Sequence, residues 1–262
     1  MNDSNSIHDL VVKNFGPVAA SYATSPGHAN KEALASLVEL VGPQDQDEVL
    51  DIATGAGNVA LAFAPFVSRV VAFDLTPSML AQTLETARNR GLTNVEAVQG
   101  LAENLPFEDC SFDIVMVRLA PHHYADITKG VQEMARVVRP GGKVLIVDTT
   151  VPEDDGLDRE INEIEVLRDN SHVRNYRPSE WKSMVQEAGL TVLEEQIVFY
   201  TEGFEMDFDT WVERIRTPES NVVELRQRLR AASPELTAAI KLNLYEDKIG
   251  FVWPQLILVA RK

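Results

Sequence analysis

The chain has a single cysteine, Cys110, in 262 residues, so no internal disulfide is available to it. No Cys/His spacing suits a zinc site, and no metal is expected. Long apolar runs are missing too: none approaches the ~20 residues that a membrane span requires. The opening stretch, Met1-Asn2-Asp3-Ser4-Asn5-Ser6, lacks the basic, apolar and small-residue order of a signal peptide. These absences together predict a cytoplasmic protein with no membrane span. Positive charge is scarce, since 24 Lys and Arg face 40 Asp and Glu and leave a formal net charge of −16. A phosphate backbone would be repelled at long range, and no Lys/Arg-rich run offers a local exception, so nucleic acid is not the expected partner.

Hydrophobic residues at 45% and charged residues at 24% are ordinary for a globular chain, and the length suits one large α/β domain or one domain with a cap. The most informative stretch is Glu48-Val49-Leu50-Asp51-Ile52-Ala53-Thr54-Gly55-Ala56-Gly57-Asn58-Val59-Ala60-Leu61. An apolar run ending in Asp51 reads as a strand buried on both faces, and Val59 to Phe66 reads as the start of a helix. Gly55 and Gly57 let the backbone turn sharply and lie against a ligand, while free N–H groups of the helix start point into the same space. A plain strand–helix turn would look similar in isolation. The downstream pattern favours a nucleotide-like ligand at the carboxyl end of a first parallel strand.

A second strand, Arg69 to Asp74, ends in a carboxylate 17 positions after Gly57, close to the ~20 expected where such a group accepts hydrogen bonds from ribose hydroxyls. Thr76 is the better candidate to cap the helix that follows, with Pro77 in its first turn and Gly91 past its end. Further strands are expected at Val95–Gly100, Phe112–Arg118 and Lys143–Asp148, with a helix around Ile127–Val138. Five β units with helical connections predict an open, parallel, doubly wound sheet. The later segments Thr191–Tyr200 and Phe251–Ala260 hold two strands, Val192–Phe199 and Trp253–Val259, which read as an antiparallel terminal pair and make seven strands.

The motifs Asp51-x-Ala53-x-Gly55-x-Gly57, Asp74 with Met79, Gly100-Leu101-Ala102-Glu103-Asn104-Leu105-Pro106-Phe107, Phe112-Asp113-Ile114-Val115 and Arg139-Pro140-Gly141-Gly142 occur in this order. Together they resemble the class I S-adenosylmethionine-dependent methyltransferases, and most closely the ubiquinone/menaquinone-methyltransferase-like branch that acts on small molecules. The likeness covers about residues 15–150 well. It implies a Rossmann-like seven-stranded sheet with an antiparallel terminal strand, S-adenosyl-L-methionine as cofactor, and a small-molecule acceptor. The glycine loop, Ala53, Thr54, Gly55 and Gly57, would approach the methionine part, with Asp51 anchoring the loop or the ammonium. Asp74 would hold the ribose, Leu75 and Met79 would pack on the adenine, and the Leu101-Ala102 backbone would read its edge. Arg118 would line the methionine end, and Tyr22 would reach the site from a preceding lid. Two positions depart from the pattern. Ala53 stands where the family has glycine, and Leu101 stands where an acidic residue is common, which leaves Glu103 or backbone to meet the adenine amino group.

For the transfer step, His122 and His123 follow the fourth strand at the edge of the cleft and titrate in a useful range, with His172 a further candidate. Adjacent loop histidines are equally often plain packing residues. The whole chain is expected to be one methyltransferase domain, with a helical lid at 1–45, a cofactor-binding core at 46–150, and cap insertions at 151–178 and 201–248. The aromatic spacing Phe208-x-x-Trp211 fits cap core better than a substrate cage. Gly55-x-Gly57-x-x-Ala60 also satisfies a dinucleotide fingerprint, so an NAD-dependent oxidoreductase is one alternative. A protein that binds S-adenosylmethionine without catalysis is another. The acceptor, the atom methylated and the oligomeric state are not legible in the sequence.

Overall fold

Each apolar run expected to be a buried strand pairs with its neighbours in a single seven-stranded sheet. In the computed structural model, residues 4–19, 29–199 and 205–262 are described, with side chains of the first segment from residue 7 onward. Strand β1 (Glu48–Ile52) lies between β2 (Arg69–Asp74) and β4 (Phe112–Arg118), parallel to both, with Leu50 opposite Val71 on one side and Val115 on the other. Strand β3 (Val95–Gln99) extends the sheet beyond β2, and β5 (Val138–Thr149) extends it beyond β4, again in parallel. Then β10 (Gln255–Arg261) enters antiparallel between β5 and β6 (Thr191–Val198). The spatial order 3-2-1-4-5-10-6 reverses direction at β1 and β4, which opens a crevice at their carboxyl ends. Among the described residues, no second parallel mononucleotide half of the kind a dinucleotide-dependent dehydrogenase uses follows.

Helices cover both faces of the middle of the sheet, which is why β1, β2 and β4 are almost wholly buried. On one face α2 (Lys31–Val41) and α3 (Asn58–Phe63) bury Leu37, Val41 and Phe63 against Val49, Val70 and Met116. On the other, α5 (Ile127–Val137) and α7 (Pro178–Glu187) bury Val131, Met134 and Trp181 against Leu50, Val115 and Ile146. Helix α2 is capped by the Asn30 side chain, which accepts from Ala33 N–H, and ends at left-handed Gly42. Helix α4 (Pro77–Asn89) packs on β2 and β3. An N-terminal helix, α1 (Ser4–Phe15), lies outside the sheet layers.

A third apolar cluster forms apart from the sheet. Helix α6 (Asp155–Arg168) contributes Ile161 and Ile164, and α8 (Phe208–Glu213), α9 (Glu219–Arg230) and α10 (Pro234–Ala239) contribute Phe208, Trp211, Leu225 and Leu236. Phe208 and Trp211 are core here, as their spacing predicts.

Several boundaries differ from the sequence reading. Strand β5 begins at Val138, five residues early, because Val138 already pairs with Phe112 before the register shifts at Ile114. Phe251 precedes the last strand of the main sheet, which starts at Gln255 rather than at Trp253. Phe251 ends β9 (Ile249–Phe251), the centre of a small antiparallel sheet with β7 (Met206–Asp207) and β8 (Asn243–Leu244). Helix α10 starts where the Ser233 side chain caps it and stops before Lys241, which turns the chain at φ +44°. Among the described residues, no helix is long and apolar enough to cross a membrane.

Candidate active site

The glycine loop and the end of β2 are held together by two buried carboxylates. Asp51 Oδ2 accepts the Thr54 hydroxyl at 2.6 Å and the Ala60 N–H at 3.0 Å, so it staples the loop to the start of α3. Asp74 Oδ2 accepts the Gly55 N–H at 2.8 Å, and its Oδ1 accepts the Thr76 N–H at 2.8 Å. The expected Thr76 cap is not made by its own side chain; the Asp74 carboxylate takes the free N–H instead. Ala53, Gly55 and Gly57 all adopt positive φ (51°, 56° and 82°), which explains why the first of these is glycine in the family. A Cβ on Gly55 would meet nothing within 4 Å, so this loop presents bare backbone to open space. Thr83 in α4 closes the loop from behind, its hydroxyl donating to Gly55 O at 2.9 Å.

One cavity unites the expected cofactor set. Its walls include Asp51, Ala53, Thr54 and Gly55 of the first turn, and Asp74, Leu75 and Met79 of the second. Leu101, Ala102, Glu103 and Arg118 complete it, together with His123. Gly57 lies just behind, where it makes the turn itself. Tyr22 falls outside the described residues. The sequence reading missed His8, Val11 and Phe15 of α1, which also line the cavity, and Tyr124. Glu103 is engaged from two sides: its Oε1 accepts the Ala125 N–H at 2.9 Å and lies 3.3 Å from His8 Nε2.

Burial pushes Asp51 up from an ordinary 3.8 to about 7, against the pull of its Thr54 and Ala60 bonds, and it also raises Asp74. A folded-state carboxyl that holds its proton more tightly than the unfolded chain gives stability at low pH and loses it as pH rises. The ligand-free protein should therefore lose stability between about pH 4 and pH 7. Asp51→Asn should flatten that part of a pH-stability curve from denaturant melts, and parallel curves for the two proteins would refute the assignment.

The histidines meet in space. Asp148 ends β5, as Asp51 and Asp74 end theirs, and this repeated strand-terminal acid was the signal that could have marked it. Its Oδ1 lies 2.6 Å from His122 Nδ1, and its Oδ2 accepts the His122 N–H at 2.9 Å. A carboxylate only accepts, so His122 carries its proton on Nδ1. His123 Nδ1 lies 2.9 Å from the Ser171 carbonyl and must donate as well, which leaves Nε2 with its lone pair. His172 stacks on His122 with centroids 5.4 Å apart, and Phe15 of α1 meets His123 edge-on at 5.1 Å. Burial, the largest influence, pushes His122 down, but the Asp148 charge and hydrogen bond outweigh it and raise the group. His123 is pushed down to about 4 by burial and by its charged neighbour His122. One imidazole is thus poised to carry charge and the next is held neutral.

A strand-terminal carboxylate, a bare glycine turn and an apolar-to-backbone wall beyond β3 make a nucleoside-sized crevice, and comparison with known proteins agrees. A model of the methyltransferase domain family matches residues 50–146. The uncharacterized methyltransferase YcgJ of Bacillus subtilis is 35% identical over 250 residues, which is 95% of this chain and 97% of that protein. Its crystal structure matches with a TM-score of 0.80 at 33% identity, covering 88% of this chain and 98% of that one. A demethylmenaquinone methyltransferase of Chlorobaculum tepidum is 34% identical over 110 residues, 42% of this chain and 43% of that protein. The chain is a class I S-adenosylmethionine-dependent methyltransferase.

The methyltransferase's own residues fit that cofactor. Gly55 leaves an open face where a Cβ would otherwise project. Asp51, Asp74 and Glu103 surround the cavity with carboxylates suited to a cationic ligand, and Arg118 places a guanidinium among the lining residues for its carboxylate end. Asp74, whose oxygens accept the Gly55 and Thr76 N–H groups, lines the same cavity.

Proposed function

We propose that this methyltransferase transfers a methyl group to a small-molecule acceptor whose reacting atom lies beside His123. The placement of His123 supports this reading: it lines the cofactor cavity, its Nδ1 proton is committed to Ser171, and its Nε2 has no hydrogen-bond partner among the described residues. The local likeness to a demethylmenaquinone methyltransferase supports a small organic acceptor. On this reading Asp74 holds the ribose hydroxyls, Leu75 and Met79 pack on the adenine, and the Leu101-Ala102 backbone reads its edge. The backbone of residues 53–57 and Arg118 hold the methionine end, while Asp51 anchors the loop. Helix α1, with the rest of 1–45, serves as a lid, and residues 151–178 and 201–248 form a cap over the acceptor. The half-buried thiol of Cys110 suits the reducing cytoplasm.

When bound, S-adenosylmethionine supplies an electrophilic methyl group on a sulfonium. Displacement of that methyl is in line, so positioning and exclusion of water contribute most. Neutral His123 orients an acceptor O–H or N–H through Nε2 and takes up its proton as the new bond forms. His122, fixed by Asp148, packs against His123 with ring centroids 4.3 Å apart and holds that ring in place.

The test uses methyl-labelled S-adenosylmethionine with separate pools of hydroquinones, phenols and amines. One small-molecule pool should be labelled, and His123→Gln should lower kcat by about 100-fold with S-adenosylhomocysteine affinity unchanged. Label entering only protein or nucleic acid, or full turnover by the variant, would overturn the reading.

A further inference from the structure

Tyr124 follows His123 directly, and its ring is fixed by a missing side chain. A Cβ on Gly130 of α5 would fall 2.6 Å and 2.8 Å from Tyr124 Cδ2 and Cε2, so the ring edge lies flat against that helix. The residue is 6% exposed and lines the cofactor cavity. Its hydroxyl oxygen is buried and has no hydrogen-bond partner among the described residues. A buried hydroxyl without a partner costs stability, so its retention in a tightly packed position calls for a reason.

The surroundings indicate what the hydroxyl meets. Four carboxylates act on it through space, Glu103 most strongly, then Asp148, Asp74 and Asp51. None of them accepts its proton. Glu103 Oε1 takes the Ala125 N–H, both oxygens of Asp148 serve His122, and both oxygens of Asp74 serve Gly55 and Thr76. Asp51 is committed to Thr54 and Ala60. Burial and these charges push the phenol well above its usual range, so it stays a donor. The same charges disfavour an anionic partner. Glu103 adjoins the Leu101-Ala102 turn and Asp74 ends β2, so the hydroxyl lies toward the nucleoside end of the cavity, where His8 of α1 also reaches Glu103.

We propose that Tyr124 is a cofactor-binding residue whose hydroxyl donates a hydrogen bond to a neutral acceptor atom, a purine ring nitrogen or a sugar oxygen, in the nucleoside half of S-adenosylmethionine. Ligand binding satisfies a group that the ligand-free protein leaves unsatisfied. Tyr124→Phe removes only the oxygen and keeps the ring against Gly130, so it carries two opposite expectations. The ligand-free variant should melt at the same or a higher temperature than wild type. Its affinity for S-adenosylhomocysteine, by calorimetry, should fall about 5- to 10-fold. Methylthioadenosine, which lacks the amino-acid end, should lose affinity by the same factor. Unchanged affinity for both ligands overturns the proposal, as does a loss seen with S-adenosylhomocysteine alone. A lower melting temperature alongside weaker binding would make the hydroxyl structural. Unchanged cofactor affinity with a raised acceptor KM would assign it to the acceptor. Either of these results would also refute the proposal.

Discussion

Gly57→Ala should destabilise the ligand-free protein by about 2–4 kcal/mol and lower its melting temperature by about 5–10 °C. Two costs add at this position. The residue has φ +82°, where a Cβ is disfavoured by roughly 1–2 kcal/mol. The new methyl would also stand 2.5 Å from Thr83 Cγ2 and 2.8 Å from Thr83 Oγ1, closer than packed atoms tolerate. Relief by shifting the loop would move Gly55 off Asp74 and Ala60 off Asp51, so cofactor affinity should fall with stability. Adding Thr83→Ala removes both nearest atoms and should restore part of the loss, and a double-mutant cycle measures that coupling. A single variant that melts like wild type would show that the loop has slack the geometry denies.

Asp74→Asn should weaken S-adenosylmethionine and S-adenosylhomocysteine binding by about 100-fold, measured by calorimetry, with far less effect on folding. The side chain keeps its size, so no cavity opens. An amide offers one acceptor oxygen where the carboxylate offers two, and its NH2 group must then face either the Gly55 or the Thr76 N–H. Losing one charge-assisted bond to the loop and weakening those to the ribose accounts for about 3 kcal/mol. Wild-type affinity in this variant would remove Asp74 from the cofactor site and leave it as a cap for α4.

The middle of the sheet was legible because β1, β2 and β4 are buried on both faces, and such strands are nearly continuous apolar runs broken only where the chain turns. Val70-Val71-Ala72-Phe73 and Ile114-Val115-Met116-Val117 admit few other readings. The small sheet of β7, β8 and β9 was not legible, since strands of two and three residues carry no period. The Thr76 cap was misread for a related reason: whether its hydroxyl turns to the N–H groups of the first helical turn is set by geometry and leaves no mark in the sequence. Most of the cavity lining could be read from the sequence because it follows strand ends in order. The histidine cluster could not, because His122 meets Asp148 and His172 across 26 and 50 positions. Tyr124 gave no signal at all, since an unsatisfied hydroxyl is a property of its surroundings.

The position of β10 has a consequence for biosynthesis. Leu256, Leu258 and Ala260 are fully buried, and the strand is hydrogen-bonded to β5 on one side and β6 on the other. β6 therefore leaves the ribosome with no partner and must wait until more than fifty further residues have been translated. During that interval β5 also has a bare edge, and both offer unpaired backbone to any other nascent chain. The sheet is thus completed by a zipper that closes from inside it. A ribosome stalled before residue 255 holds a cofactor crevice already built from β1 to β4, on a sheet that is still in two pieces.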